Sequence, residues 1–238
     1  MIPLAVIRPQ PGCDATVAAA RALGLDARGF PLFAVSAIAW EPLAADSFDA
    51  LLLGSANAPR HAGAALAAYA GKPAYTVGAT TAEAARAAGL DVVASGVGGI
   101  KALLPLVRPE HRRLLRLSGR ERMVLSPPRG VSIIERVVYA SEPLPMSPAL
   151  RQVLAAPAVV ALHSAEAAQH LAALCDDHRL ERGRIALATI GPRVSRAAGT
   201  GWAAIATAAV PNDTALLALA QDLCQTPAAE RNCGPDAG

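Results

Sequence analysis

The chain has little that stacks and little that forms an imine. Of its 238 residues, three are Phe, three Tyr and two Trp. That is too few for an aromatic platform on which nucleic-acid bases could lie. Lysine occurs only as Lys72 and Lys101, and Lys72 sits in a Gly-Lys-Pro turn, so Schiff-base chemistry is not expected. Cys13, Cys175, Cys224 and Cys233 show no CxxC spacing and read as free thiols of a reducing compartment. The segments GVGGI (96–100) and GTGW (199–202) do not match GxGxxG, and no P-loop is present. GSANA (54–58) lacks the second glycine of a nucleophile elbow. The formal net charge is only +3, without charge runs. Arg8-Pro9 interrupts the first apolar run, so no export signal is read there. No uncharged apolar stretch is long enough to span a bilayer. These absences predict a cytoplasmic protein with neither nucleic acid nor membrane as partner.

What is abundant is Ala, Leu and Val, within a hydrophobic fraction of 53%. Strand-like and helix-like segments alternate. LAVIR, DALLLGS, AYTVG, DVVAS, RLLRLSG, SIIERVVYA, AVVALHS, IALATIG and WAAIATA read as strands. DATVAAARALG, AGAALAAYAG, TTAEAARAAG, GGIKALLPLV, AEAAQHLAALC, RVSRAAG and DTALLALAQDL read as helices. Thr80 and Glu83 have capping-box spacing. The alternation predicts α/β architecture, with parallel sheets covered by helices.

The chain also repeats itself. LLLGSANA (51–58) returns as VALHSAEA (160–167), and YTVGATT (75–81) as LATIGPRV (187–194). Ser55 precedes Ser164 by 109 residues, Gly78 precedes Gly191 by 113, and Arg8 precedes Arg116 by 108. Each arginine is read as the end of the first strand of its half. A near-constant offset predicts two similar α/β units. FPLFAVSAIAW (30–40) and VVYASEPLP (137–145) are extended and proline-flanked, and read as crossings. One unit then comprises 1–34 with 146–225, the other 41–135, with linker strands 35–40 and 136–145. Residues 226–238 lack periodicity and read as a disordered tail. Two such linkers bury little, so relative motion of the units is expected.

In parallel α/β sheets, ligands sit at the carboxyl ends of strands, where helix N-termini present backbone N–H groups. Ser55, Gly78, Ser164 and Gly191 fall at that edge. Two such edges facing each other would make an anion-binding cleft. The plainer reading makes the serines N-caps and the glycines turn formers, and the pattern leaves both open. Arg8, Arg60, Arg120, Arg122, Arg129, Arg193 and Arg196 lie near predicted turns; each could be a solvated charge, and together they suit a polyanion. His163 and His170, seven apart, could share a helix face, but no acidic partner completes a metal site.

In this order and spacing, the segments VIRP, FDALLLGSANA, YTVGATTAEAARAAGL, LLRLSG, VVYAS, VVALHSAEA, ATIGPRVSRAAG and PNDTALLALAQDL resemble the uroporphyrinogen-III synthase family. The resemblance covers residues 2 to about 223. It implies two flavodoxin-like, doubly wound parallel-sheet domains joined by a two-stranded linker. It implies a monomer working without metal or other cofactor on hydroxymethylbilane, received from hydroxymethylbilane synthase. This linear tetrapyrrole loses its terminal hydroxyl as water and closes with the last ring inverted, through a spiro intermediate, to uroporphyrinogen III. Its eight carboxylates suit loops rich in backbone donors.

Tyr139, in VVYAS, matches the family tyrosine that assists departure of the hydroxyl, as a positioned donor that need not ionise. Arg8, Ser55, Ala56, Asn57, Gly78, Ala79, Thr80, Gly119, Arg120, Ser164, Ala165, Gly191, Pro192 and Arg193 match the family's substrate-binding loops. Two departures stand out. Pro127-Pro128 in ERMVLSPPRGVS forbids the family's long helix after LLRLSG, so the loop there is expected to sit differently, which weakens the match of Gly119 and Arg120 as ligands. GPRV (191–194) has arginine and valine where the family often has threonines, leaving carboxylate binding there to Arg193. The alternative is a non-catalytic two-domain binding or regulatory protein of the same fold.

Overall fold

The computed structural model describes residues 2–225. Cys233 and the tail read at 226–238 lie outside the described residues. Two compact units divide the chain. One contains the residues up to Ala34 and those from Pro143 onward; the other is Val35–Glu142.

The first unit carries a parallel sheet of β1 (Leu4–Val6), β2 (Ala27–Gly29), β9 (Ala158–Leu162), β10 (Ile185–Thr189) and β11 (Ala204–Thr207), ordered β11-β10-β9-β1-β2. The middle strands are apolar except for Thr189 at the end of β10, because both faces are covered: every residue of β1, β9 and β10 is buried. Helices α1 (Gly12–Ala22) and α7 (Asp213–Gln225) bring Val17, Ala20, Leu216 and Leu217 onto one face. Helices α4 (Pro148–Leu154), α5 (Ala165–Asp177) and α6 (Pro192–Ala198) bring Leu150, Leu171 and Val194 onto the other.

The second unit carries β3 (Phe33–Ala37), β4 (Ala50–Leu53), β5 (Pro73–Val77), β6 (Asp91–Gly96), β7 (Arg113–Gly119) and β8 (Ser132–Pro143), ordered β3-β8-β7-β4-β5-β6. With β3 set aside, β7 occupies the place of β1, β8 of β2, β4 of β9, β5 of β10 and β6 of β11. The two sheets share the doubly wound order 2-1-3-4-5. The second unit starts its chain at its third strand. That explains the repeated phrases: Ser55 and Ser164 each follow a third strand, and Gly78 and Gly191 a fourth. Arg116, however, does not end its strand. It is the fourth of seven residues in β7, while Arg8 lies two residues beyond β1.

Several local expectations are corrected. AGAALAAYAG is not an α-helix: Ala64–Tyr69 forms 3-10 turns, after the five-residue α2 (Asn57–His61). Gly63 and Gly71, at φ 71 and 76, break the chain on either side, leaving too few residues to propagate a helix. The three-residue period brings Leu66 and Tyr69 to the core together. GGIKALLPLV likewise gives 3-10 turns at Ile100–Leu106, with Pro105 inside. The capping box fails because α3 (Ala79–Ala87) already includes Thr80; Gly78 at φ 76 is its N-cap, with no side-chain cap bond. His163 and His170 share no helix face. His163 lies in the loop before α5, whereas His170 is on α5 and bonds the Leu144 carbonyl at 2.8 Å. Segment 120–131 contains no helix. The side of the sheet that α1 covers in the first unit is covered here by the turns at 100–106 and by Leu125 and Val131.

Candidate functional site

The carboxyl ends of β4 and β7, with Tyr139 from within β8, border a cavity of about 200 Å3 in the second unit. Gly54, Ser55, Arg116, Ser118, Gly119 and Tyr139 form much of its wall. Tyr139 arrives from β8 as the register partner of Gly119, across a bulge between Ser118 and Gly119. Its ring lies against the glycine: a Cβ there would come within 2.7 Å of the ring and 3.0 Å of the hydroxyl. His61, the last residue of α2, has its ring centre 6.3 Å from that of Tyr139. Burial, and then the charge of Arg60, push the His61 imidazole below its ordinary pKa, which keeps it neutral near pH 7.

Arg116 is the unusual member of this wall. It is a buried arginine, 3% exposed, flanked in its strand by Leu115 and Leu117. Its Nη1 donates to the Met123 carbonyl at 2.7 Å and to Glu135 at 2.5 Å. Arg122 reaches the other Glu135 oxygen at 3.0 Å. This network ties the helix-less segment after β7 back to the sheet. Two atoms of the strand, Arg116 Nε and Ser118 Oγ, are buried with no hydrogen-bond partner among the described residues.

Ser55 Oγ accepts from the Asn57 N–H at 3.2 Å, while Ala56 is the N-cap and Asn57 the first residue of α2. Gly78 caps α3; Ala79 and Thr80 begin it and are exposed. None of these three lines the cavity. Arg120 donates its N–H to the Tyr139 carbonyl at 2.9 Å and pairs with Glu142 at 2.6 Å.

The remaining candidates belong to the first unit. Ser164 is the N-cap of α5, accepting from the Ala167 N–H at 3.1 Å, and Ala165 is the helix's first residue. Gly191 is the N-cap of α6, followed by Pro192 and Arg193, both exposed. Arg8 is an internal partner more than a solvated charge. It donates to Asp213 at 2.8 Å and to Thr16 at 3.2 Å. His163 Nε2 lies 3.2 Å from the same carboxylate. The acidic neighbour that sequence spacing denied to His163 thus comes from 50 residues further on. His163, then Arg8 and Thr16, hold the Asp213 carboxyl down at about 2 against its own burial. Burial pushes His163 below its ordinary value.

Arg116, Ser118 and His61 are absent from the site residues the sequence suggests. The signal for the first two was present: RLLRLSG places Arg116 and Ser118 on alternate positions among the leucines of a buried strand. His61 carried no signal, because its neighbour Tyr139 is remote in sequence. Among the described residues, no group of three or more His, Cys, Asp or Glu is placed to hold a metal ion. No helix among them is long and apolar enough to cross a membrane.

Comparison with known proteins agrees with this architecture. Solved structures that share the fold include uroporphyrinogen-III synthetase from Helicobacter pylori and a mutant uroporphyrinogen III synthase from the extremely thermophilic bacterium Thermus thermophilus. The first is 15% identical, with a TM-score of 0.62, covering 94% of this chain and all of that one. The second is 20% identical, with a TM-score of 0.51, covering 94% and 99%. No curated protein matches the chain. The family model described as uroporphyrinogen-III synthase HemD matches residues 14–218. Spanning most of the sequence and both units, that match shows that the chain belongs to the uroporphyrinogen-III synthase family, enzymes of the tetrapyrrole pathway acting on a small-molecule substrate.

Proposed function

We propose that the chain converts hydroxymethylbilane to uroporphyrinogen III in the cytoplasm, with Tyr139 as the group that helps the terminal hydroxyl leave. The observation that carries the reading is the placement of Tyr139 at a cavity wall, seated on Gly119 and beside His61. The phenol donates to the departing hydroxyl as its carbon–oxygen bond breaks, and water leaves. The electron-rich pyrrole supplies the electrons. The closing carbon later loses its hydrogen, which restores the proton balance. The neutral His61 ring and the packed strand ends keep the phenol in one orientation, which is what a transition-state donor needs.

Loops at the carboxyl edges of both sheets, after β4, β5, β9 and β10, offer backbone N–H groups to the eight side-chain carboxylates. Ser55, Gly78, Ser164 and Gly191 keep these approaches unobstructed; Arg193 adds an exposed fork. A linear bilane matches the product of a hydroxymethylbilane synthase, which we take as its source. Nothing in the comparisons favours a non-catalytic binding protein.

Hydroxymethylbilane given to the pure protein tests the reading. The oxidised products are separated by isomer. Spontaneous closure gives isomer I, so a dominant isomer III is expected. Isomer I alone would refute the reading.

A further inference from the structure

The geometry points to Ser118 as the donor that receives one carboxylate arm of the substrate, that of the ring bearing the hydroxymethyl group. This inference rests on the function proposed above. Ser118 is 7% exposed, lines the cavity of Tyr139, and its hydroxyl has no partner among the described residues. Buried hydroxyls are ordinarily paired, and an orphan calls for an explanation. Two positions earlier, on the same face of β7, Arg116 Nε is an orphan too. Arg116 Nη1 is already committed to Met123 and Glu135. Two residues of one wall therefore carry unused donors, a hydroxyl and a guanidinium N–H, both buried just behind its surface. An anionic acceptor satisfies both.

Size decides which part of a ligand enters. The cavity holds about 200 Å3, below the roughly 300–1,000 Å3 of a site that takes a whole small molecule. It suits a side arm and not a macrocycle. Field alone does not select the anion. Arg116 and Arg122 share Glu135, and Glu121 stands at the exposed rim, so the formal charges balance. Selection falls to the directed donors. Since Tyr139 shares this wall, the arm belongs to the ring whose hydroxyl departs.

Ser118→Ala separates this role from a structural one. Removing an orphan hydroxyl leaves the fold as stable or more so, so the variant is expected to melt at or above the wild-type temperature. KM for hydroxymethylbilane and Kd for uroporphyrinogen III are expected to rise about 10- to 100-fold, as for loss of a hydrogen bond to a charged group. The change in kcat should be much smaller, because the arm is held equally in ground and transition states. Unchanged KM and Kd in the folded variant would overturn the assignment. A clear drop in melting temperature would overturn it as well, since the hydroxyl would then serve the fold. If the wild type forms no isomer III, the assignment falls with the function it rests on; normal isomer III from wild type with an indifferent Ser118→Ala sinks this inference alone.

Discussion

Tyr139 rests its ring directly on Gly119, its register partner one strand away, so closely that a Cβ at 119 would stand 2.7 Å from the ring. Glycine is needed here for approach, not for backbone angle, since its φ lies outside the left-handed region. Gly119→Ala is therefore expected to fold and to tilt the ring. Misplacing a reacting group by an ångström can cost about 100-fold. A fall in kcat of about 10- to 100-fold is expected, with near-native circular dichroism. Full activity would show that the ring's seat is irrelevant.

Tyr139→Phe keeps the ring on its seat and removes only the donor. Loss of one transition-state hydrogen bond predicts a rate reduced about 10- to 1000-fold. Steady-state kinetics on the folded variant measure it. Wild-type turnover would remove Tyr139 from the mechanism.

Gly78 and Gly191 are not equivalent tests of carboxylate approach. Gly78 sits at φ 76, so Gly78→Val strains the backbone whatever it does to the ligand. Gly191 has extended backbone, φ 179, and open space around its Cβ position. Gly191→Val is expected to melt like the wild type and to bind substrate more weakly. Ser164→Ala should lose only its cap on α5, about 1 kcal/mol, with modest change in KM. The opposite order, with Ser164 indispensable and Gly191→Val silent, would point to side-chain recognition.

Asp213 joins α7 to α1 through Thr16 and to the loop after β1 through Arg8, with His163 beside it. Asp213→Asn is expected to cost about 1–2 kcal/mol in denaturant unfolding, a figure reduced because Asp213 and Arg8 are 41% and 30% exposed. The wild type should also weaken in acid, in two stages. His163 titrates below its ordinary 6.5 in the folded state. Its contribution is therefore complete above about pH 6.5 and declines as pH falls. Asp213 and, in the second unit, Asp49 are held at about 2, the latter by Arg113. Their contribution is present above the ordinary 3.8 and is lost as pH falls towards 2. Melting temperatures from pH 8 to pH 2 should show both declines. Asp213→Asn should flatten the second. A profile rising on acidification would contradict these assignments.

The sequence by itself determined the α/β architecture and the positions of the repeated edge loops. Fully apolar runs such as ALLL and AVVAL are what parallel strands covered on both faces require. The strand-to-helix turns carry their own chemistry, and Ser164 caps α5 as its pattern indicates. Local propensity misjudged AGAALAAYAG, because two glycines at positive φ and the burial of Leu66 with Tyr69 are settled by packing. Tertiary structure alone decided the site. Tyr139 meets Gly119 only because β8 pairs with β7, and His61 meets Tyr139 only because α2 returns beside them. The orphan state of Ser118 and the pairing of Arg8 with Asp213 depend on neighbours up to 205 residues away. Periodicity records which face a residue shows to the core; which partner waits there is set by strand order, which no local pattern encodes.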